Sequence, residues 1–308
     1  MPISPAATQH GILLVHKPEG ISSAGLVARI KRITGAKKVG HAGTLDPFAR
    51  GLMVCGINHG TRLSRFFLHG DKTYTAELTF GRETDTMDRT GCEVQACAED
   101  FFEHHPDFFS KGNQICLLDA FKGPQNQLPP VYSALKHQGV PLYKLARKGT
   151  PVQKEARSIV IKEINLLGIT PPSVTFSVQC TAGTYIRSLA SDMGKKAGCG
   201  AHLSALERTE TCGFSLNYAI DLDTLAQATD WSKHLISMDD ALPNMTPVFV
   251  DETLAEKVKH GVLMTREEIG PDIQDCFLKV LDKERTVIAI LEYDNSKSRY
   301  NYCCVFHD

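Results

Sequence analysis

Strict alternation of side-chain type over residues 72–80 is the pattern that most restricts the fold of this chain. Tyr74, Ala76, Leu78 and Phe80 are apolar or aromatic, and a threonine or a glutamate stands between each of them and the next. A period of two places every second side chain on the same face of an extended strand, so the pattern predicts a β-strand with one buried face. Because such a face must be covered by other elements, the chain is expected to fold around a sheet.

Further strands and helices are predicted on both sides of this segment, without a regular β-α-β order. Many of the strands adjoin one another in sequence, which favours an α+β fold over a doubly wound sheet. We therefore predict a mixed, largely antiparallel sheet core with flanking helices. The predicted strands include residues 11–16, 52–57, 159–167 and 174–180, and the predicted helices are 22–35, 99–109, 189–197, 221–228 and 232–242.

Two segments suggest the domain organisation. Residues 123–149 are rich in Pro, Gly, Lys and Tyr without a clean period, which is typical of a long excursion that carries function rather than packing. Pro243 and Pro247 bracket a predicted linker, and a short helix and three strands are predicted after it. We expect a main domain over residues 1–245, with an insertion at about 123–150, and a small β-rich domain over residues 246–308.

Composition excludes several classes of protein. Of the 308 residues 42% are apolar and 22% charged, as in ordinary globular chains, and no apolar run is long enough for a transmembrane helix. The ten cysteines lie far apart with no Cys-x-x-Cys pair, and the twelve histidines show no metal-ligand spacing. The N-terminus lacks the features of a secretory signal. We predict a cytoplasmic protein with reduced thiols, no metal and no membrane attachment.

Charge is distributed in blocks although the net charge is only −1. Residues 1–80 hold ten Lys and Arg against four Asp and Glu, and residues 121–220 hold twelve against five. Residues 221–308 are acidic, with nine basic residues against seventeen acidic ones. If the fold brings the two basic blocks onto one face, that face favours polyanions, nucleic acid first. Ordinary surface variation is the alternative interpretation.

The loop predicted over residues 40–51 contains a single carboxylate, Asp46, among three glycines and a proline. Glycine and proline allow a loop to hold an unusual backbone path. Asp46 is therefore a candidate nucleophile or base. The alternative is that the Asp-Pro pair merely initiates a turn.

A second candidate lies at residues 183–187, directly after an alternating strand. If the chain remains extended there, Tyr185 and Arg187 project from the same face. A guanidinium facing a loop carboxylate would hold that carboxylate in place. The alternative is a surface arginine beside a half-buried tyrosine.

Taken together, these segments resemble the TruB family of tRNA pseudouridine synthases. Residues 11–23 are similar to its opening motif, and residues 40–51 are similar to its catalytic motif. The other matches occur in the same order and spacing as in the family, and all lie between residue 11 and about residue 214: Lys72-x-Tyr74, 81–91, 130–136, 183–187 and 199–203.

The resemblance implies a pseudouridine synthase fold and the isomerisation of a uridine in the tRNA T loop, conventionally position 55, by base flipping. The base is detached, turned and rejoined to the same ribose, so no cofactor, oxidant or metal is required. By resemblance, Asp46 is the nucleophile, Arg187 is its ion-pair partner, and Tyr74 is the ring that stacks on the target base. The resemblance also places Tyr185 and Leu206 in the pocket and His41 in the stacking position that the flipped base leaves. By the same resemblance, Lys17 and Lys136 bind the substrate.

Two features depart from the family pattern. Glu207 stands where a basic residue is expected, and the C-terminal domain is acidic, with only a faint likeness at residues 260–262 to an RNA-binding PUA-type domain. The expected partner is the T stem-loop of tRNA, with no obligatory protein partner and a monomeric enzyme. The alternatives are a synthase acting on another RNA and an RNA-binding folding assistant without catalysis.

Overall fold

A computed structural model describes residues 9–270 and 275–307 of the chain. The first group of strands comprises β1 (Gly11–Lys17), β2 (Val39–His41), β3 (Arg50–Ile57), β4 (Lys72–Phe80), β5 (Arg82–Thr84), β6 (Glu93–Ala96), β7 (Gly123–Gln127), β8 (Lys136–His137), β9 (Val140–Pro141), β10 (Arg157–Thr170), β11 (Ser173–Cys180), β12 (Ala201–Thr211), β13 (Phe214–Ser215), β14 (Ile220–Asp221) and β15 (Leu235–Ile236). The second group comprises β16 (Thr246–Phe249), β17 (Phe277–Leu281), β18 (Val287–Asp294) and β19 (Arg299–Val305).

The helices lie between these strands and cover the sheets. They are α1 (Ser23–Thr34), α2 (Ser64–Leu68), α3 (Phe101–His104), α4 (Lys111–Asp119), α5 (Leu142–Arg147), α6 (Ile186–Ala197), α7 (Leu222–Gln227), α8 (Glu252–Lys259) and α9 (Arg266–Ile269). Within the described ranges, no helix is both long and apolar enough to cross a lipid bilayer.

One large sheet forms the body of the molecule. Its main path is β14-β1-β3-β12-β4-β11-β10-β7, with β2, β13 and β15 paired alongside β3, β12 and β1. Neighbours run antiparallel except β1 with β14 and β3 with β12. The predicted mixed, largely antiparallel sheet is thus confirmed.

Strand β4, the alternating segment, lies inside this sheet between β12 and β11. Its four alternating apolar side chains are all buried. Helix α6 contributes Leu189 and Met193 to the same apolar core. The alternation arises because one face of β4 packs into this core while the threonines point to the other face.

The predicted helix after β1 is confirmed as α1. Ser22 caps it by accepting a hydrogen bond from the Gly25 amide at 3.0 Å, and Gly35 ends it with φ at 67°. The helix predicted at 221–228 is confirmed as α7. Two others are wrong in extent: residues 99–109 form only the short α3, and residues 232–242 contain a 3-10 turn and the short strand β15.

Tertiary contacts explain both differences. Phe101, Phe102 and Phe108 pack their rings edge to face. The apolar side chains of this segment are thus packed against one another without a long helix. Leu235 and Ile236 pair instead with β1. Helix α4 has almost no apolar periodicity, and so the sequence pattern did not predict it.

The predicted excursion at 123–149 is in part a strand of the large sheet. Residues 123–127 form β7, which pairs with β10 at the sheet edge. The remainder carries the hairpin β8–β9 and helix α5, whose Leu142 is fully buried. The excursion therefore has a folded base on the sheet and a small folded tip.

Strands β16 to β19 form a second sheet in that order. The predicted linker is wrong at Pro247, which lies within edge strand β16 and is tolerated there because an edge strand leaves one side unpaired. One apolar cluster joins the two sheets, with Leu14 and Val54 on one side and Ile290 and Phe306 on the other. The second sheet is thus packed onto the first.

Candidate active site

A cleft of about 320 Å³ opens between strands β4 and β12, the loop after β2 and the start of α6. Five of the residues predicted from sequence line this one cleft, although they come from distant parts of the chain: Asp46, Tyr74, Tyr185, Arg187 and Leu206. The fold therefore brings together side chains that sequence alone could only group by resemblance.

The segment after β1 makes hydrogen bonds to the loop that carries Asp46. The Ser23 hydroxyl donates to the Leu45 carbonyl at 2.9 Å and accepts from the Leu45 amide at 2.9 Å. The Gly20 amide donates to the Pro47 carbonyl at 2.8 Å. These contacts fix the backbone on both sides of Asp46, whose side chain remains 33% exposed and so open to a substrate.

Arg187 is the buried partner of this carboxylate. Its Nε donates to Asp46 Oδ2 at 2.8 Å, and its side chain is only 4% exposed. Nη1 donates to the Thr86 carbonyl at 2.8 Å, and Nη2 donates to the Tyr132 carbonyl at 2.7 Å. Asp88 Oδ2 lies 3.7 Å from Nη1. One guanidinium thus joins the loop over residues 40–51, the candidate catalytic loop, to two other segments.

The expected extended course through residue 187 is wrong, because helix α6 begins at Ile186. Tyr185 retains an extended backbone since the side chain of Gln127 pairs with it, accepting from its amide at 2.8 Å and donating to its carbonyl at 3.0 Å. Arg187 stands in the first turn of the helix. Both side chains nevertheless line the cleft.

Tyr74 is buried at the floor of the cleft, and burial raises the pKa of its phenol to about 12. The nearby charge and hydrogen bond of Arg208 act in the opposite direction. The phenol is therefore protonated near neutral pH.

Arg208 was missed by the sequence reasoning. It is 1% exposed, and its guanidinium donates to the Leu52 carbonyl at 2.8 Å and to the Gly43 carbonyl at 3.2 Å. The available signal was its position two residues after Leu206 on the same strand, which places a charged side chain on the face that lines the cleft. Its bonds tie β12 to β3 and to the catalytic loop.

Arg157 is a second residue that was missed. Its guanidinium lies 4.5 Å from the ring centroid of Tyr185 and donates to the Gly183 carbonyl. This stacking fixes the tyrosine as one wall of the cleft.

Comparison with known proteins was decisive. Residues 31–186 match the model of the TruB family pseudouridylate synthase N-terminal domain, and residues 187–246 match that of the tRNA pseudouridylate synthase B C-terminal domain. The chain belongs to the TruB family of pseudouridylate synthases. This membership confirms the family indicated by the ordered motifs and makes the protein an isomerase.

Individual relatives agree with the TruB family assignment. A tRNA pseudouridine synthase B from Syntrophotalea carbinolica is 38% identical over 294 residues, which cover 94% of both chains. One from Desulfotalea psychrophila is 48% identical over 224 residues, covering 70% of this chain and 88% of the relative. A chain in the solved structure of a Cbf5-Nop10-Gar1 complex has a TM-score of 0.70 at 24% identity, covering 97% of this chain and 85% of that one, which confirms the pseudouridine synthase fold.

Three residues that the TruB resemblance assigns to the site do not line the cleft. Lys17 is fully buried, its Nζ donates to the carbonyls of Pro18 at 3.0 Å and Ile21 at 2.8 Å, and burial lowers its pKa to about 8. His41 lies on β2, and burial lowers the pKa of its imidazole. Lys136 is exposed on β8. Lys17 Nζ also donates to the Pro47 carbonyl at 3.4 Å, so the geometry makes Lys17 a support of the catalytic loop.

Glu207, the departure from the TruB pattern, makes an ion pair beside the cleft. Its carboxylate lies 3.0 Å from Nε of Arg50, the residue at the end of the catalytic loop. His16 Nε2 lies 3.5 Å from the same carboxylate. Arg50 and Glu207 line a second pocket of about 290 Å³, which shares Leu206 with the cleft.

Proposed function

We propose that this enzyme isomerises uridine to pseudouridine in the T loop of tRNA, conventionally at position 55. The observation that carries the proposal is the accessible Asp46 carboxylate, clamped by a buried arginine at 2.8 Å in a cleft walled by Tyr74, Tyr185 and Leu206. Such a cleft suits a flat, uncharged ring that has been flipped out of its stack.

Asp46 is the catalytic group in this proposal. An ionised carboxylate serves each of three routes: attack on the uracil ring, attack on the anomeric carbon of the ribose, or support of an elimination. In every route the bond between the ribose and a nitrogen of the base breaks, and the base turns within the cleft. A carbon of the base then forms the new bond to the same ribose. Arg187 holds the carboxylate in the orientation that these steps require.

The remaining residues hold the base and the loop. Tyr74 stacks on the target ring and assists movement of its proton, while Tyr185 and Leu206 close the pocket. His41 fills the stacking position that the flipped base leaves, at a cost to the RNA of a few kcal/mol for unstacking. Lys17 serves substrate binding indirectly, because its Nζ donates to the Pro47 carbonyl next to Asp46 as well as to the carbonyls of Pro18 and Ile21.

RNA is held by the two basic blocks. One is the exposed face of α1 and the residues after it, and the other is the insertion at about 123–150, where Lys136, Lys144, Arg147 and Lys148 lie. Tyr143, over which the Arg147 guanidinium lies at 5.7 Å, offers a ring for unpaired bases in the same insertion. We propose a cytoplasmic, monomeric enzyme with a catalytic domain at 1–245 and a small β-rich domain at 246–308.

The test is incubation of the purified protein with unmodified tRNA, followed by mapping of pseudouridine through chemical adducts and primer extension. We expect a single new stop in the T loop. Modification elsewhere would favour a synthase for another RNA. Bound, correctly folded tRNA without any pseudouridine would favour the folding assistant and refute the enzyme proposal.

A further inference from the structure

The catalytic cleft contains a buried hydroxyl that the protein itself does not satisfy. Ser133 is 4% exposed and lines the cleft, and its Oγ has no hydrogen-bond partner within residues 9–270 and 275–307. Arg157 Nε, which belongs to a residue that also lines the cleft, is likewise buried and has no hydrogen-bond partner among the described residues. Buried polar groups are almost always paired, because an unpaired one loses its hydration without compensation.

The position of Ser133 is fixed from both sides. The carbonyl of the preceding residue, Tyr132, accepts from Arg187 Nη2 at 2.7 Å. The carbonyl of Ser133 accepts from the Tyr143 amide at 3.0 Å. The residue that precedes the serine is therefore hydrogen-bonded to the arginine that clamps Asp46, and the backbone on both sides of the unpaired hydroxyl is held by hydrogen bonds.

We propose that the Ser133 hydroxyl binds the target base, donating a hydrogen bond to a carbonyl oxygen of uracil. This inference rests on the proposed function and adds a hydrogen bond to the target base from the insertion, whose other proposed RNA contacts are its charged side chains and the Tyr143 ring. When the bond between ribose C1′ and uracil N1 breaks, its electron pair stays with the ring and spreads over the carbonyl oxygens. A hydroxyl donor there is stronger in that state than in the resting complex, so it favours the reaction as well as binding.

The first experiment compares Ser133→Ala with Ser191→Ala. Ser191 is a fully buried serine outside the cleft whose hydroxyl donates to Glu83 Oε1 at 2.9 Å. We expect Ser133→Ala to lower turnover about tenfold and to leave the melting temperature unchanged or raised, since it removes an unsatisfied polar atom. Ser191→Ala should do the reverse, lowering the melting temperature by about two degrees while turnover stays near that of the wild type. Equal turnover in the two variants would overturn the proposal.

The second experiment uses T-arm hairpins that carry 2-thiouridine or 4-thiouridine at the target position. Sulfur is a poor acceptor, so the penalty of Ser133→Ala should shrink on the hairpin whose substituted atom is the acceptor, and persist on the other. A penalty that is the same on both hairpins would refute the contact.

Dissociation constants of the same hairpins separate this inference from the proposed function. Wild-type protein that binds the uridine hairpin but makes no pseudouridine would refute the reaction alone. An affinity penalty confined to one thio hairpin would then still support the contact, and equal affinities would exclude it.

Discussion

Two clusters in this protein each pair a carboxylate with a buried cation, but they differ in how far the carboxylate is enclosed. In the catalytic cleft, Asp46 meets the buried Arg187. Where the second sheet packs against the first, Asp239 meets the buried Lys279 at 2.6 Å and Arg285 at 2.7 Å. Asp46 is 33% exposed, whereas the Asp239 side chain is 8% exposed. The difference lies in how completely each carboxylate is enclosed.

The two carboxylates also differ in how many of their oxygens have a cationic partner. Both oxygens of Asp239 have a cationic partner, and Lys279 also donates to the carbonyls of Asp239 and Leu242 at 2.9 Å each. Of the two oxygens of Asp46 only Oδ2 pairs with Arg187, and the residue lines the cleft. Loss of one partner from an enclosed pair leaves a buried charge without compensation, whereas a half-open carboxylate remains accessible to a substrate.

The sharpest test of this contrast is Asp46→Asn. The amide preserves the shape of the side chain but cannot act as an anionic nucleophile, so turnover should fall by roughly ten-thousandfold or more. Affinity for a T-arm hairpin and the melting temperature should stay close to those of the wild type. Single-turnover formation of pseudouridine is the measurement, and a rate within tenfold of wild type would remove Asp46 from its role.

Arg187→Lys should give the next largest effect. An ammonium group cannot reproduce three separate donors to Asp46, Thr86 and Tyr132, so the carboxylate loses its orientation and turnover should fall about a hundredfold. The check is the same single-turnover assay with circular dichroism to verify folding. A fully active Arg187→Lys enzyme would show that the ion pair is not needed.

Asp239→Asn should show the opposite profile. It leaves the buried Lys279 without its counter-charge, which should cost about 3 kcal/mol of the free energy of unfolding, while turnover of the folded protein stays near normal. The measurement is urea denaturation, with the exposed neighbour Asp240→Asn as control. Loss of turnover in Asp239→Asn with an unchanged free energy of unfolding would contradict the assignment of this cluster to stability and of the Asp46 cluster to the reaction.

The same cluster predicts a pH dependence of stability. Burial by itself would raise the pKa of Asp239, but the hydrogen bonds and charges of Lys279 and Arg285 outweigh it and hold the pKa below its usual value. A lowered folded pKa contributes stability above the unfolded value of about 3.9, and this contribution is lost as the pH falls through the folded value. Between the unfolded and the folded pKa of Asp239, the free energy of unfolding of Asp239→Asn should therefore change less with pH than that of the wild type. Acid denaturation of the two proteins is the measurement.

The smallest expected effect concerns RNA affinity and again separates the two regions. Replacing Lys144, Arg147 and Lys148 with glutamine should weaken binding of a T-arm hairpin and flatten its salt dependence by about 0.7 in slope for each lost phosphate contact. The matched control replaces Lys257, Lys283 and Lys297 in the second sheet region, where no change is expected. Identical slopes for both triple variants would place the RNA elsewhere.

The sequence by itself determined the local elements and the chemistry. Strict alternation specified β4, cap residues specified α1, and the ordered motifs specified the family and the residues Asp46, Tyr74 and Arg187. These signals are local because they depend on side-chain period, backbone conformation or a short run of residue types.

Only the tertiary structure decided which distant residues meet. The pairing of Gln127 with Tyr185 starts α6 at Ile186, and no periodicity within residues 183–187 contains that contact. Lys17 was expected at the substrate but is enclosed by carbonyls, and Arg208 is buried because β12 and β3 run side by side. The contacts of Arg208 depend on strand register between segments 156 and 165 residues apart in the chain, and the free energy that selects the register comes from burying the whole sheet face at once.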